Sequence, residues 1–169
     1  MSSILKVSEI QDPTNGNTAL SIDSSGRVFN PEVPAILAQG KTEGNVTFAN
    51  LAPVTFTLAA DKATYSKGIT LVSETRFTVP VTGLYFASFT VYVNDANTAR
   101  RFQWRQNGAF NNPHGGLEQS GAGAARSVSV TQIMDLSAND YIEVVNASGG
   151  NVITYNGNNH TFASMFSIG

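Results

Sequence analysis

The sequence predicts an all-β sandwich preceded by a small N-terminal hairpin, and three observations carry that reading. First, residues 84–93 alternate: Tyr85, Ala87, Phe89, Val91 and Val93 share one face, and Leu84, Phe86, Ser88, Thr90 and Tyr92 the other. Successive side chains of a strand point to opposite sides, so the first set faces a core. Second, no stretch carries a convincing helical period, while strand signals recur with turn residues between them. Third, only 13% of the residues are charged and Cys is absent, with Asn, Ser, Thr and Gly taking up the polar share. Stability must therefore come from packing, from contacts between copies, or from both. A domain of about 140 residues can bury roughly two-thirds of its unfolded surface, so no staple is required.

In chain order, Thr18-Ala19-Leu20-Ser21-Ile22 and Arg27-Val28-Phe29 flank Asp23-Ser24-Ser25-Gly26, a hairpin pattern. Such a hairpin is too small to stand alone. It must dock on the rest of the chain, on its own copies or on another protein. Pro31 and Pro34 punctuate the junction, dividing the chain into an N-terminal segment, residues 1–31, and a head, residues 32–169. Within the head, the face of Leu84, Phe86 and Tyr92 is too aromatic for full exposure, which points to a partner. Phe102 and Trp104 point inward from the next strand, and Asn107-Gly108 marks a turn. Residues 107–126 read as one long polar, Gly-rich loop. Val128, Val130, Met134 and Leu136 then share a face with Gln132, residues 137–140 turn, and Ile142 and Val144 begin a strand that ends at Gly149-Gly150. In the closing strand Phe162, Ser164, Phe166 and Ile168 lie on one face and Ala163 and Met165 on the other, both at least partly buried. Phe77, Tyr85, Phe89, Trp104, Phe162 and Phe166 are the expected aromatic core.

Chemistry is sparse, and no catalytic residue, resident metal or cofactor is assigned. His114 and His160 have no ligand spacing with another His or Cys. There is no nucleophile elbow, Walker loop or dinucleotide fingerprint. Asp135 and Asp140 flank a turn and Asp95 sits in Asn94-Asp95-Ala96-Asn97. An oxygen-rich Ca²⁺ loop and plain turn chemistry both fit these acids, and turn chemistry needs no metal. Asn45-Val46-Thr47, Asn146-Ala147-Ser148 and Asn159-His160-Thr161 match the N-glycosylation pattern, as expected by chance in an Asn-rich chain. The formal charge of −2, with no basic stripe, argues against nucleic acid. The first ten residues hold no long apolar run, so neither a secretory signal nor membrane insertion is expected. Release by lysis inside an assembled particle is one route out of the producing cell that needs no such signal.

The run F-T-V-P-V-T-G-L-Y-F-A-S-F, residues 77–89, resembles the signature of the globular head of the first complement component, a family that shares its jelly roll with tumour necrosis factor. Phe77, Gly83, Tyr85 and Phe89 match the pattern, and Ala87 replaces its middle Phe. Pro34-Ala35, R-Q-N-G, D-L-S-A-N-D-Y-I-E-V and T-F-A-S-M-F-S-I-G follow in family order, so the resemblance covers residues 32–169. In addition, S-S-I-L-K-V-S-E-I-Q-D and T-A-L-S-I-D-S-S-G-R-V are similar to the start of short virion proteins of tailed bacteriophages, which place such a head after an attachment segment.

The resemblance implies a jelly roll of about ten strands and a homotrimer around an apolar axis, with Leu84, Phe86, Tyr92 and Met165 at the subunit contact. It implies a virion protein held to other virion proteins through residues 1–31. Two roles fit: a fibre head that binds the host surface, a glycan for preference, and a decoration or cap protein that stabilises the particle and binds no host ligand. Counting alternating strands places residues 94–100, 137–140 and 155–160 at the outer end and 107–126 at the anchor end or along the flank. Asp95, Arg100, Tyr155, Asn158 and His160 are then the expected ligand rim, because an aromatic ring among amides can stack on and hydrogen-bond a sugar.

Overall fold

Short polar turns and period-two apolar runs leave the chain one way to bury its aromatics, and the computed structural model shows it. It describes residues 7–11, 18–30, 33–58, 64–94, 100–110, 117–119, 126–155 and 160–168. Every regular element among them is a β-strand. The chain divides into two units, Met1–Val33 and Pro34–Gly169.

The first unit is a three-stranded antiparallel sheet, β1 (Glu9–Gln11), β2 (Thr18–Ile22) and β3 (Val28–Phe29), in that order. The expected hairpin joins β2 to β3. The Asp23 carboxylate accepts from the backbone N–H groups of Ser25 and Arg27, both at 2.9 Å, and Gly26 takes the left-handed conformation that closes the turn. Sequence reading missed β1, whose Ile10 lies opposite Leu20.

The second unit, the head, contains β4 (Ala35–Gly40), β5 (Asn45–Phe48), β6 (Phe56–Thr57), β7 (Tyr65–Lys67), β8 (Thr70–Val72), β9 (Arg76–Thr78), β10 (Gly83–Val93), β11 (Arg100–Gln106), β12 (Leu117–Gln119), β13 (Arg126–Leu136), β14 (Tyr141–Asn146), β15 (Val152–Tyr155) and β16 (Phe162–Ser167). The excess over ten comes from strands of two or three residues. β10 anchors the eight-stranded sheet, with β13 along one side over its full length and β16, then β4, on the other. The second sheet runs β12-β11-β14-β9-β8. All pairings are antiparallel.

The inward faces meet as expected over β10: Tyr85, Ala87, Phe89 and Val91 are fully buried and Val93 nearly so. Trp104 stands edge-on to both Phe77 and Phe89, with centroids 6.2 and 5.1 Å apart, and Phe56 adds a further edge contact to Phe77 at 5.2 Å. Such pairs add to what burial alone supplies. Phe77, Tyr85, Phe89 and Trp104 thus form the expected core. Phe162 and Phe166 do not: they are 39% and 41% exposed, while Ala163 and Met165 are buried. β16 is pinned between β10 and β4 in a register that aims its small and flexible residues inward, because the core opposite is already filled by large rings.

Two ends of the head can be told apart. Gly83 of β10, Leu136 of β13 and Ser167 of β16 gather at the end where Pro34 begins the head, its carbonyl accepting from the Ser167 N–H. Val93, Arg126 and Thr154 gather at the opposite, distal end. Residues 137–140 therefore lie at the Pro34 end, where Asn139 N–H donates to Val79 O and Ala138 N–H to the Thr82 hydroxyl. This corrects the strand count. The stretch read as one loop over 107–126 contains β12, antiparallel to β11, and that extra strand reverses the parity of everything as far as β14. The stretch thus begins in a turn at the Pro34 end and finishes at the distal end.

Candidate interaction surfaces

The outward face of the eight-stranded sheet is built in rows, because residues paired across strands project to the same side. One row reads Ile133, Phe86, Phe166, Ala35 across β13, β10, β16 and β4. Phe86 and Phe166 are stacked, with centroids 5.0 Å apart. Beside this row, towards the Pro34 end, stand Leu84 and Ile168. Ile133, Leu84, Phe166 and Ile168 are between 41% and 57% exposed and Phe86 is half-buried. Covering the exposed half of such side chains would return about 1 kcal/mol each. Towards the distal end a belt of hydroxyls crosses the face, with Phe162, 39% exposed, beside it opposite Thr90. The Ser88 and Thr131 hydroxyls meet at 3.1 Å and those of Thr90 and Ser129 at 2.8 Å.

Of the four residues expected at a subunit contact, Leu84 and Phe86 lie in this apolar patch. Tyr92 is further along the same face. Met165 is corrected: at 1% exposure it belongs to the core of its own head, because β16 points it inward beside Ala163. Sequence reasoning passed over Ile133, although its odd position in the β13 alternation marks it as outward. It also took Phe166 for core.

At the distal end three rings meet. His160 lies edge-on to Tyr155 at 4.5 Å and to Tyr92 at 5.1 Å. The Thr161 hydroxyl locks the group by donating to Tyr155 O at 3.1 Å and accepting from Tyr92 N–H at 3.5 Å. Asn94 donates to the Asn45 side chain at 2.9 Å nearby. The structure thus joins Tyr155 and His160 of the expected rim, with Tyr92 as their support. Arg100 is on the other sheet, half-buried at the start of β11 opposite Gln119. Asp95 and Asn158 lie outside the described residues, as does His114.

The centre of the outward face of the five-stranded sheet is closed by its own side chains. Glu143 is 2% exposed, yet both carboxylate oxygens are satisfied: one accepts from Arg76 at 3.2 Å, the other from Arg105 at 3.0 and 2.8 Å. Arg76 lies over the Tyr141 ring at 4.5 Å and Arg105 over Phe110 at 5.9 Å. Asp140 accepts from Asn107, Gln106 and the Ser137 N–H at 2.7, 3.1 and 2.9 Å. The Asn107 bond is the main cause that holds its carboxyl below the ordinary value. Turn chemistry therefore accounts for Asp140, and among the described residues no cluster of three or more His, Cys, Asp or Glu side chains could hold a metal ion. Asn146 is fully buried and donates to Phe48 O, Ala49 O and Gly150 O, which leaves it no means to carry a glycan.

This two-sheet order has counterparts among solved structures. The chain superposes on Eiger TNF from S. frugiperda with a TM-score of 0.66 at 18% identity, over 82% of this chain and 94% of that one. Murine APRIL gives 0.63 at 14% identity, over 80% and 99%. The head has a tumour-necrosis-factor-like jelly-roll fold. At this identity the likeness concerns the fold alone. No family model and no curated protein matches the chain. What the tumour-necrosis-factor-like head does must be argued from its own surfaces.

Proposed function

We propose that the protein is a non-enzymatic homotrimeric head, with residues 1–31 as its attachment to other virion proteins and the distal end as its contact with a host-surface glycan. The observation that carries the trimer is the exposed row of Ile133, Phe86 and Phe166 with Leu84 and Ile168 beside it. A monomer that left this patch in water would be exceptional. The patch lies on the sheet face that the resemblance to complement-type heads assigns to the subunit contact.

The glycan reading rests on Tyr155 and His160, ring-to-ring at the end opposite Pro34 and flanked by Asn94 and Asn45. Rings with amides beside them stack on a sugar and bond its hydroxyls. The bacteriophage setting rests on the resemblance of the first thirty residues to virion attachment segments. The decisive experiment has two readouts on the purified full chain. Light scattering at micromolar concentration is expected to give a trimer, and a panel of immobilised bacterial surface glycans is expected to retain the wild type and not Tyr155→Ala. A folded monomer overturns the trimer. A trimer that binds no glycan moves the reading to a decoration protein, and labelled images of the particle then locate it on the shell and not at a tail tip.

A further inference from the structure

The inward face of β13 carries a carboxamide in the middle of the core. Gln132 lies between Val130 and Met134, both buried, and is paired with Ala87 on β10. Neither its Oε1 nor its Nε2 is open to solvent, and neither has a hydrogen-bond partner among the described residues. The Trp104 indole Nε1–H, on β11 of the facing sheet, is in the same position. Polar groups withdrawn from bulk water oppose folding when left unpaired, so in native proteins they bond to protein or to ordered water. Among the described residues β13 pairs β10 alone, so no strand on its other side supplies the missing partner.

Both groups stand beside the same stretch of β10. Gln132 is opposite Ala87, and Trp104 packs edge-on, 5.1 Å between centroids, against Phe89, the next inward residue of that strand. Inward neighbours on a strand are about 7 Å apart and facing sheets about 10 Å, a gap that a glutamine and an indole extended from opposite sides close between them. Ala87 is fully buried and stands where the resembled signature carries Phe, so no ring of its own fills the layer above it. The unpaired groups are two donors, Trp104 Nε1–H and Gln132 Nε2–H, and one acceptor, Gln132 Oε1. One water complements that set: it accepts from both donors and donates to the acceptor, closing a ring with the carboxamide. About three bonds is what a buried water usually makes. A direct bond from the indole to Oε1 would leave Nε2 unpaired, and an apolar occupant would leave all three. We infer that one ordered water lies over Ala87, bridges Gln132 of β13 to Trp104 of β11, and so ties the edge strand of one sheet to the other. This site is independent of the trimer proposed above.

The chain has a single Trp, so its indole proton gives one resonance. In the wild-type full chain, rotating-frame Overhauser NMR, in which chemical exchange has the opposite sign, is expected to show a bound water close to both the indole proton and a Gln132 carboxamide proton. Gln132→Leu, similar in size and without polar atoms, is expected to lose the water contact at the indole while the oligomeric mass is unchanged. A wild type in which either group shows no bound water overturns the inference, and so does one in which the carboxamide contacts the indole directly. An undiminished water contact at the indole in folded Gln132→Leu overturns it as well, because that water would not be held by Gln132. The wild-type spectrum decides by itself should Gln132→Leu not fold.

Discussion

The two outward faces of the head solve the same problem differently. On the five-stranded sheet, the strand residue that faces out at the centre is Glu143, and two arginines from neighbouring strands cover it, Arg76 lying over the Tyr141 ring and Arg105 over that of Phe110. On the eight-stranded sheet, the equivalent central positions are Phe86, Phe166 and Ile133, and nothing within the described residues covers them. The first face is finished by its own chain at its centre, with Val72 on β8 and Phe110 after β11 left exposed away from it. The second is unfinished at its centre, where the exposed side chains form one contiguous row across three strands.

The largest expected effect removes what both faces share. Phe89 is fully buried between them and touches Trp104. We predict that Phe89→Ala costs about 3–5 kcal/mol, the usual range for emptying an aromatic site in a core. Thermal unfolding would show a steep drop in melting temperature or a failure to express in soluble form. An unchanged melting curve would mean that the packing between the sheets is not as described.

Breaking the finished face comes next. Glu143→Ala leaves Arg76 and Arg105 facing each other without the carboxylate between them. Removing one partner of a fully buried pair costs about 3–5 kcal/mol. Arg76 is 46% exposed and can turn to water, which discounts the penalty to about 2 kcal/mol. Denaturant unfolding should resolve this with the oligomeric mass unchanged. A change of mass would mean that this face also meets a partner.

The unfinished face should answer in the opposite way. Phe86→Asp places a charge in the proposed contact while the core behind it stays intact. We predict loss of the trimer in light scattering. Unfolding should then cease to depend on protein concentration, a dependence expected while assembly is coupled to folding. Thr131→Ala, in the hydroxyl belt, removes one exposed cross-strand bond and should leave the mass alone. Equal behaviour of the two variants would erase the distinction between the Phe86 row and the hydroxyl belt.

How far all this could be read in advance follows from the length of each element. β10 and β13, eleven residues each, carry enough alternation to identify their inward sets from pattern alone. β16 has six residues with large apolar side chains on its outward face and small or flexible ones inside. Size there suggested the wrong side, and only its pairing with β10 decides. β12, three residues in a Gly-rich stretch, gives no periodic signal, yet its presence reverses the direction of every strand as far as β14 and so moved residues 137–140 to the other end. Of the expected rim, Tyr155 and His160 were named from an aromatic ring among amides, but their ring-to-ring contact was not legible. Nor was the support from Tyr92, because it depends on where β15 stops beside β10.

The smallest expected effect concerns the turn that joins the two faces at the Pro34 end. Asp140 ties Asn107, Gln106 and the Ser137 amide together, and the donors, Asn107 foremost, favour its charged form. Its folded pKa is therefore below the unfolded value of 3.8. For a depressed carboxyl the stabilisation is fully present above the unfolded value and is lost as pH falls through the folded one. Asp140→Asn should thus be less stable than the wild type at pH 7, by at most about 1 kcal/mol because solvent screens so open a group. The gap should close as the pH is lowered past the folded pKa, where the wild-type carboxyl is also neutral. Asp23, held down chiefly by the Arg27 amide, titrates in the same direction in both proteins and cancels from the difference. A gap that stayed constant with pH would assign the cost of the substitution to the shape of the turn and not to its charge. Residues 137–140 would then be held by the left-handed Asn139 and its bond to Val79, with Asp140 a bystander.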